Sequence, residues 1–191
     1  MDLSGVYIAG LVVSGIATIG FFGVNHKFRA EVDRAVAPMI VPERQWRGYS
    51  AQDLNEFRIV AVEQSTAFGK SALDLYRDNV LRLDMGFAVA LGLFSLLAWV
   101  VATQQIGSSI VSSAAMFGGI AGAIYGISDL GEDIILRMLL RPERTIRDDD
   151  ARTATALTWL KLATICISMV GAIVFALLSI VFGAMRSSAK S

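Results

Sequence analysis

Apolar runs alternate with polar stretches along this chain on the length scale of a bilayer. Three runs cover residues 6–24, 85–103 and 108–128, and a fourth begins near residues 159–162 and ends near Met185. Each approaches the ~20 residues that a helix needs to cross ~30 Å of hydrocarbon. The pattern predicts an all-α integral membrane protein with four transmembrane helices. It divides the chain into a first transmembrane helix (1–24), a cytoplasmic helical segment (25–83), a transmembrane helical hairpin (84–130), a cytoplasmic amphipathic connection (131–158), and a fourth transmembrane helix with a short tail (159–191). No Lys or Arg precedes the first run, so it reads as a retained helix rather than a secretory leader.

In the first polar segment, Pro38 and Pro42 interrupt any helix and bracket a short apolar piece, Met39-Ile40-Val41. Ser50-Ala-Gln-Asp53 reads as a capping box, a hydroxyl followed three residues later by a carboxylate. No strong stop follows until Gln104, and Gly69 is the one weak point. The expectation is one helix of about 50 residues, a long amphipathic extension leading into the second span. Its apolar face (Leu54, Phe57, Ala61, Phe68, Leu75) needs a partner in this chain or another. A second capping box is read at Thr145-Ile-Arg-Asp148, after Pro142 ends the third helix's extension.

Within the third run, small residues recur every four positions: Ala114, Gly118, Gly122 and Gly126. In water each Gly would cost a helix about 1 kcal/mol against Ala. In lipid the backbone must satisfy its own hydrogen bonds, so the helix forms, and the ridge lets another backbone come close. Gly10, Ser14 and Thr18 make a second such stripe on the first helix, expected to pack against the ridge. The alternative occupants of the ridge are another protein, a pigment or a lipid.

Composition sharpens the picture. Mean hydropathy is +0.58 and only 18% of residues are charged, below the ~25% of soluble domains. Formal net charge is zero, so nucleic acid is not an expected partner. Cys166 and His26 are single, which leaves no conventional cysteine or histidine metal site, and no cofactor is expected. No Walker loop, HExxH, CxxC or nucleophile elbow is present, and no span carries a charge in its middle. Fifteen of the seventeen Lys and Arg lie between the first and second spans or between the third and fourth, counting Lys161 at the entry to the fourth, which predicts a bacterial inner-membrane protein with both termini outside. Tyr7 and Trp99 would then mark the outer interface, Tyr125 and Trp159 the inner one.

The candidate chemistry gathers at the inner ends of the hairpin. Asp84 starts the second span. Asp129, Glu132 and Asp133 share a helix face at i, i+3 and i+4, and Arg137 follows one turn later. These residues form either a site for an ion or polar headgroup or a salt-bridge cluster that fixes the hairpin's depth. The arginines between Arg137 and Arg152 either contact anionic lipid headgroups or only set topology.

Tyr76-Arg77, Asp84-Met-Gly-Phe87, the short hairpin, Asp129-Leu-Gly-Glu132-Asp133 and Leu139-Leu140 together resemble a loose class of small bacterial membrane proteins. In that class a Tyr precedes an Asp-x-x-Phe at the start of a span, and Asp-x-x-Glu-Asn/Asp ends the next. The resemblance covers about residues 71–140, and Asp133 stands where the class more often has Asn. It implies topology and draws attention to Asp84, Asp129 and Glu132; it implies no activity.

The leading functional expectation is a non-enzymatic accessory or scaffold subunit of a larger membrane complex. Its partners would be membrane lipids and either other membrane proteins or further copies of itself. The alternative is a small transporter or an ion- or headgroup-binding membrane protein that uses the carboxylate cluster.

Overall fold

The structure, a computed structural model, describes residues 3–104 and 109–188, and the side chains of residues 5–102, 116–172 and 174. Among the described residues the chain is all-helical: α1 (Leu3–Val36), α2 (Ala51–Glu63), α3 (Ala72–Leu75), α4 (Leu81–Gln104), α5 (Ser109–Leu139) and α6 (Asp148–Ser188). A π-helical turn, Tyr76–Val80, joins α3 to α4. Three helical stretches are long and apolar enough to cross a bilayer: Gly5–Val36, Ala72–Ala102 and Asp148–Ala172. The fourth expected span, 108–128, is helical in α5 from Ser109, but its first residues lack described side chains. The turn at 105–108 and the Ala114 side chain also lie outside the described residues.

The long helices pack in the order α1, α4, α5, α6. The glycine ridge lies in the α4–α5 seam. A Cβ on Gly126 would stand 2.9 Å from the Ala88 carbonyl oxygen and 3.2 Å from the Gly92 Cα, so two backbones touch there. One on Gly122 would overlap Ser95, and one on Gly118 would overlap the Trp99 indole. In lipid there is no hydrophobic drive between helices, so such close approach is what holds them. Ser168 of α6 closes the three-helix contact. Its hydroxyl lies 2.9 Å from Ser95 Oγ, accepts from Trp99 Nε1 at 3.3 Å, and donates to the Gly118 carbonyl at 3.2 Å.

The expected pairing of the α1 stripe with the ridge does not form. Cβ atoms on Gly10 and Gly15 would meet Leu97 and Phe94 of α4 instead. Ser14 is buried, and Ser14 and Thr18 donate to the carbonyls of Leu11 and Ser14 on their own helix. Trp99 is buried among α4, α5 and α6.

The single long extension into the second span is also replaced. Its capping box forms as read, with the Ser50 hydroxyl and the Asp53 backbone and carboxylate bonded reciprocally. But α2 stops at Glu63, and residues 64–71 make a tight reversal closed by Ala72 N–H to the Gln64 carbonyl at 2.8 Å. Gly69 sits in it at φ +70°, which favours glycine. Ser71 then caps α3 by accepting from Asp74 N–H. The reversal folds α2 back, so Leu54, Phe57 and Ala61 bury against the chain itself.

These residues join Val32 and Val36 of α1 and Leu136, Leu139 and Leu140 around the end of α5 in a compact apolar cap. Phe57 meets Tyr76 edge-on at 5.2 Å between ring centroids. Each fully buried Leu or Phe in such a cap stabilises it by roughly 1.5–3 kcal/mol. Helix α6 begins at Asp148, two residues later than the Thr145 capping box predicts.

Candidate functional site

Beneath the cap, at one end of the long helices, lies a buried polar chamber. Asp129, Glu132 and Asp133 share one face of α5 and are all buried. Asp84, at the start of α4, faces them: Asp84, Asp129 and Asp133 each bring a carboxylate oxygen within 4.8 Å of the other two. The packing of α4 against α5 thus brings together residues 45 and more positions apart in sequence.

Every other wall contributes a partner. From α1, Asn25 Nδ2 donates to Asp84 Oδ1 at 3.1 Å and Arg29 Nη2 to Asp84 Oδ2 at 2.9 Å. Arg29 also pairs with Glu43 at 3.1 Å. Glu43, on the 3₁₀ turn Pro42–Arg44, in turn accepts from the Tyr76 hydroxyl. Burial pushes the Glu43 carboxyl up to about 7, with Arg29 opposing. From α6, Lys161 Nζ stands 2.7 Å from Asp129 Oδ1 and 2.6 Å from Glu132 Oε2. The Thr158 and Tyr49 hydroxyls donate to Glu132 Oε1 at 2.6 and 3.2 Å. The Tyr125 hydroxyl donates to Asp129 Oδ2 at 2.8 Å. Burial first, and the Glu132 charge second, raise the Tyr49 hydroxyl's pKa, so it remains a donor.

Tyr49 reaches the chamber because the connector between α1 and α2, residues 37–50, docks on α6. Its N–H donates to Thr155 Oγ1, which donates back to the Tyr49 carbonyl, both at 3.1 Å. Gly48 permits this contact. Its φ is +85°, and a Cβ would stand 2.3 Å from Thr155 Cγ2.

Asp133 is the exception in the network. It is fully buried, and neither carboxylate oxygen has a hydrogen-bond partner. Five carboxylates (Glu43, Asp84, Asp129, Glu132, Asp133) therefore share the chamber with two cations that pair with them, Arg29 and Lys161.

Of the residues read from the sequence, Asp84, Asp129, Glu132 and Asp133 meet in the chamber. Arg137 does not; it turns outward to Asp78 at 3.6 Å, because it lies a full turn beyond the carboxylate face. Arg77 likewise pairs with Asp74 and Asp78. His26 is exposed and stacks on Phe22, and Cys166 is exposed on α6.

The sequence reading missed Lys161, Arg29, Asn25, Glu43, Tyr49 and Thr158. Lys161 was assigned to topology, yet it is buried near the start of the apolar run of α6. A signal was there: Ala154, Thr158, Lys161, Thr164 and Ser168 recur at three- and four-residue steps, a single small and polar face, and all are buried. Asp84 and Lys161 lie near the polar ends of the apolar runs in Ala72–Ala102 and Asp148–Ala172.

Fold and site together define the class: an all-helical membrane protein with a buried, acid-rich chamber at one end of its helices. No protein-family model, curated protein or solved structure matches the chain.

Proposed function

We propose that this is an ion-binding membrane protein whose buried chamber takes up a cation. The observation that carries this reading is the charge imbalance: five carboxylates share the chamber with buried Lys161 and half-buried Arg29, and Asp133 has no hydrogen-bond partner. An uncompensated charge removed from water costs several kcal/mol. A bound cation or proton offsets that cost, and the chamber is where it would act. The excess of basic residues in the polar segments supports a cytoplasmic chamber with both termini outside.

The test is thermal unfolding of the detergent-solubilised protein across a panel of Na⁺, K⁺, Mg²⁺ and Ca²⁺ and across pH. A ligand that binds the native state raises the midpoint by mass action. Measured in a Glu43→Gln background, which removes that residue's own response to acid, the protein should gain stability from a cation or from acid, and Asp133→Asn should lose most of that gain. Indifference of the background protein to every cation and to pH would sink the proposal.

The accessory-subunit reading draws support from a different observation. The cap exposes apolar side chains of polar-segment residues, Trp46 at 67% and Ile59 at 60% among them. Two features that first motivated it are filled within the chain, however: α4 occupies the glycine ridge, and the cap covers the α2 face. Purification in mild detergent followed by mass spectrometry tests it, with a stoichiometric membrane partner as the supporting outcome.

A further inference from the structure

We propose that Asp84, Asp129 and Asp133 are the ligands of one hard divalent cation of the Mg²⁺, Mn²⁺ or Ca²⁺ type. This rests on the cation reading above and names the ion class. The donor set is oxygen only, and the chain's single His and single Cys are both exposed. Carboxylate oxygens select hard cations over the softer metals that imidazole and thiolate favour.

The geometry agrees. Three oxygens at most 4.8 Å apart share a centre no more than about 2.8 Å from each, so an entering ion need draw them in by only a few tenths of an ångström to reach Ca²⁺ coordination and somewhat further for Mg²⁺. Asp133 offers both oxygens, neither bonded and both buried. The oxygens of Asp84 and Asp129 each accept one hydrogen bond, from Asn25, Arg29, Lys161 and Tyr125, which leaves a second lone pair on each.

Two competing occupants fit less well. A proton offsets a single charge and leaves the acids in excess. A monovalent ion corrects less of the imbalance than a divalent one does. Lys161, bonded to both Asp129 and Glu132, stands beside the ligand set as a resident positive charge. Its repulsion weakens the ion's hold, and the site should exchange its ion rather than trap it.

The experiment is titration of the full chain in detergent with Mn²⁺, read by the loss of the free-ion electron paramagnetic resonance signal. One Mn²⁺ should bind per chain, and Mg²⁺ or Ca²⁺ should displace it. Asp133→Asn, which keeps the shape and removes the unpaired charge, should weaken Mn²⁺ by more than about tenfold. It should also be at least as stable as wild type without metal, so a folding failure cannot imitate the result. Asp78→Asn, on the outer ion pair with Arg137, should bind Mn²⁺ as wild type does. Unchanged Mn²⁺ binding by Asp133→Asn overturns the assignment. If Mn²⁺, Mg²⁺ and Ca²⁺ all fail while Na⁺, K⁺ or acid still stabilises the protein, the divalent assignment falls and the cation reading stands. If no cation and no proton has an effect, both fall.

Discussion

The Lys161 ammonium stands 2.7 Å from the Asp129 carboxylate, 32 residues away in sequence and across the α5–α6 seam. Lys161 is also 2.6 Å from Glu132, so one cation on α6 holds two acids on α5. Breaking a buried pair from one side leaves an uncompensated charge, which costs about 3–5 kcal/mol. Lys161→Met should therefore lower stability strongly, and adding Asp129→Asn and Glu132→Gln should restore a large part. Unfolding in mixed detergent micelles, analysed as a mutant cycle, measures the coupling. Additive losses would show that the pairs are not linked.

Glu43 makes stability depend on pH near neutrality. Its carboxyl titrates at about 7 in the folded chain against 4.5 when free. Between those values the folded state holds a proton that the unfolded state has released. The contribution is thus fully present below about pH 4.5 and is lost as pH rises through 7, up to about 3 kcal/mol. Glu43→Gln should flatten the pH profile of the unfolding midpoint in that window. A wild-type slope that survives in the variant would place the titrating group elsewhere.

Gly126 touches backbone, whereas the groups against Gly122 and Gly118 are side chains. Gly126→Ala should push α4 and α5 apart and cost about 1–3 kcal/mol by overpacking. Gly122→Leu, directed at Ser95, should disrupt folding while leaving membrane insertion intact. Carbonate extraction reports insertion and micelle unfolding reports stability. Loss of insertion itself would mean that the ridge serves something other than helix approach.

The two glycines with positive φ should respond differently to alanine. At Gly69 a Cβ meets nothing within 4 Å, so Gly69→Ala should cost only the left-handed backbone strain, about 1–2 kcal/mol. At Gly48 the same strain adds to a collision with Thr155. Gly48→Ala should undock the connector, free Tyr49 from Glu132 and expose residues 37–50 to protease. Equal proteolysis of the two variants would contradict this account.

Much of the fold was legible because local chemistry determines it. Apolar run length marked the helices, and Ser50 with Asp53 marked the start of α2. Gly69 was identified as the weak point of the long helix, and the chain does reverse there. A reversal was not predicted because the apolar face continues at helical spacing through Phe68 and Leu75. The face continues because the cap, not one long helix, buries most of it.

By itself the sequence determined that this chain is helical and apolar enough for a membrane, and that acids recur on one face of α5 opposite Asp84. Spacing along a helix decides such matters, since i, i+3 and i+4 must share a face. Only the tertiary structure decided that Lys161 and Arg29 enter the chamber, that Arg137 leaves it, and that Glu43 and Tyr49 close it from the connector. Those memberships depend on how each helix is rotated and how deep it sits against its neighbours. Backbone contacts at the glycine seam and the burial of the cap set both, and a charge tally along the chain cannot express either.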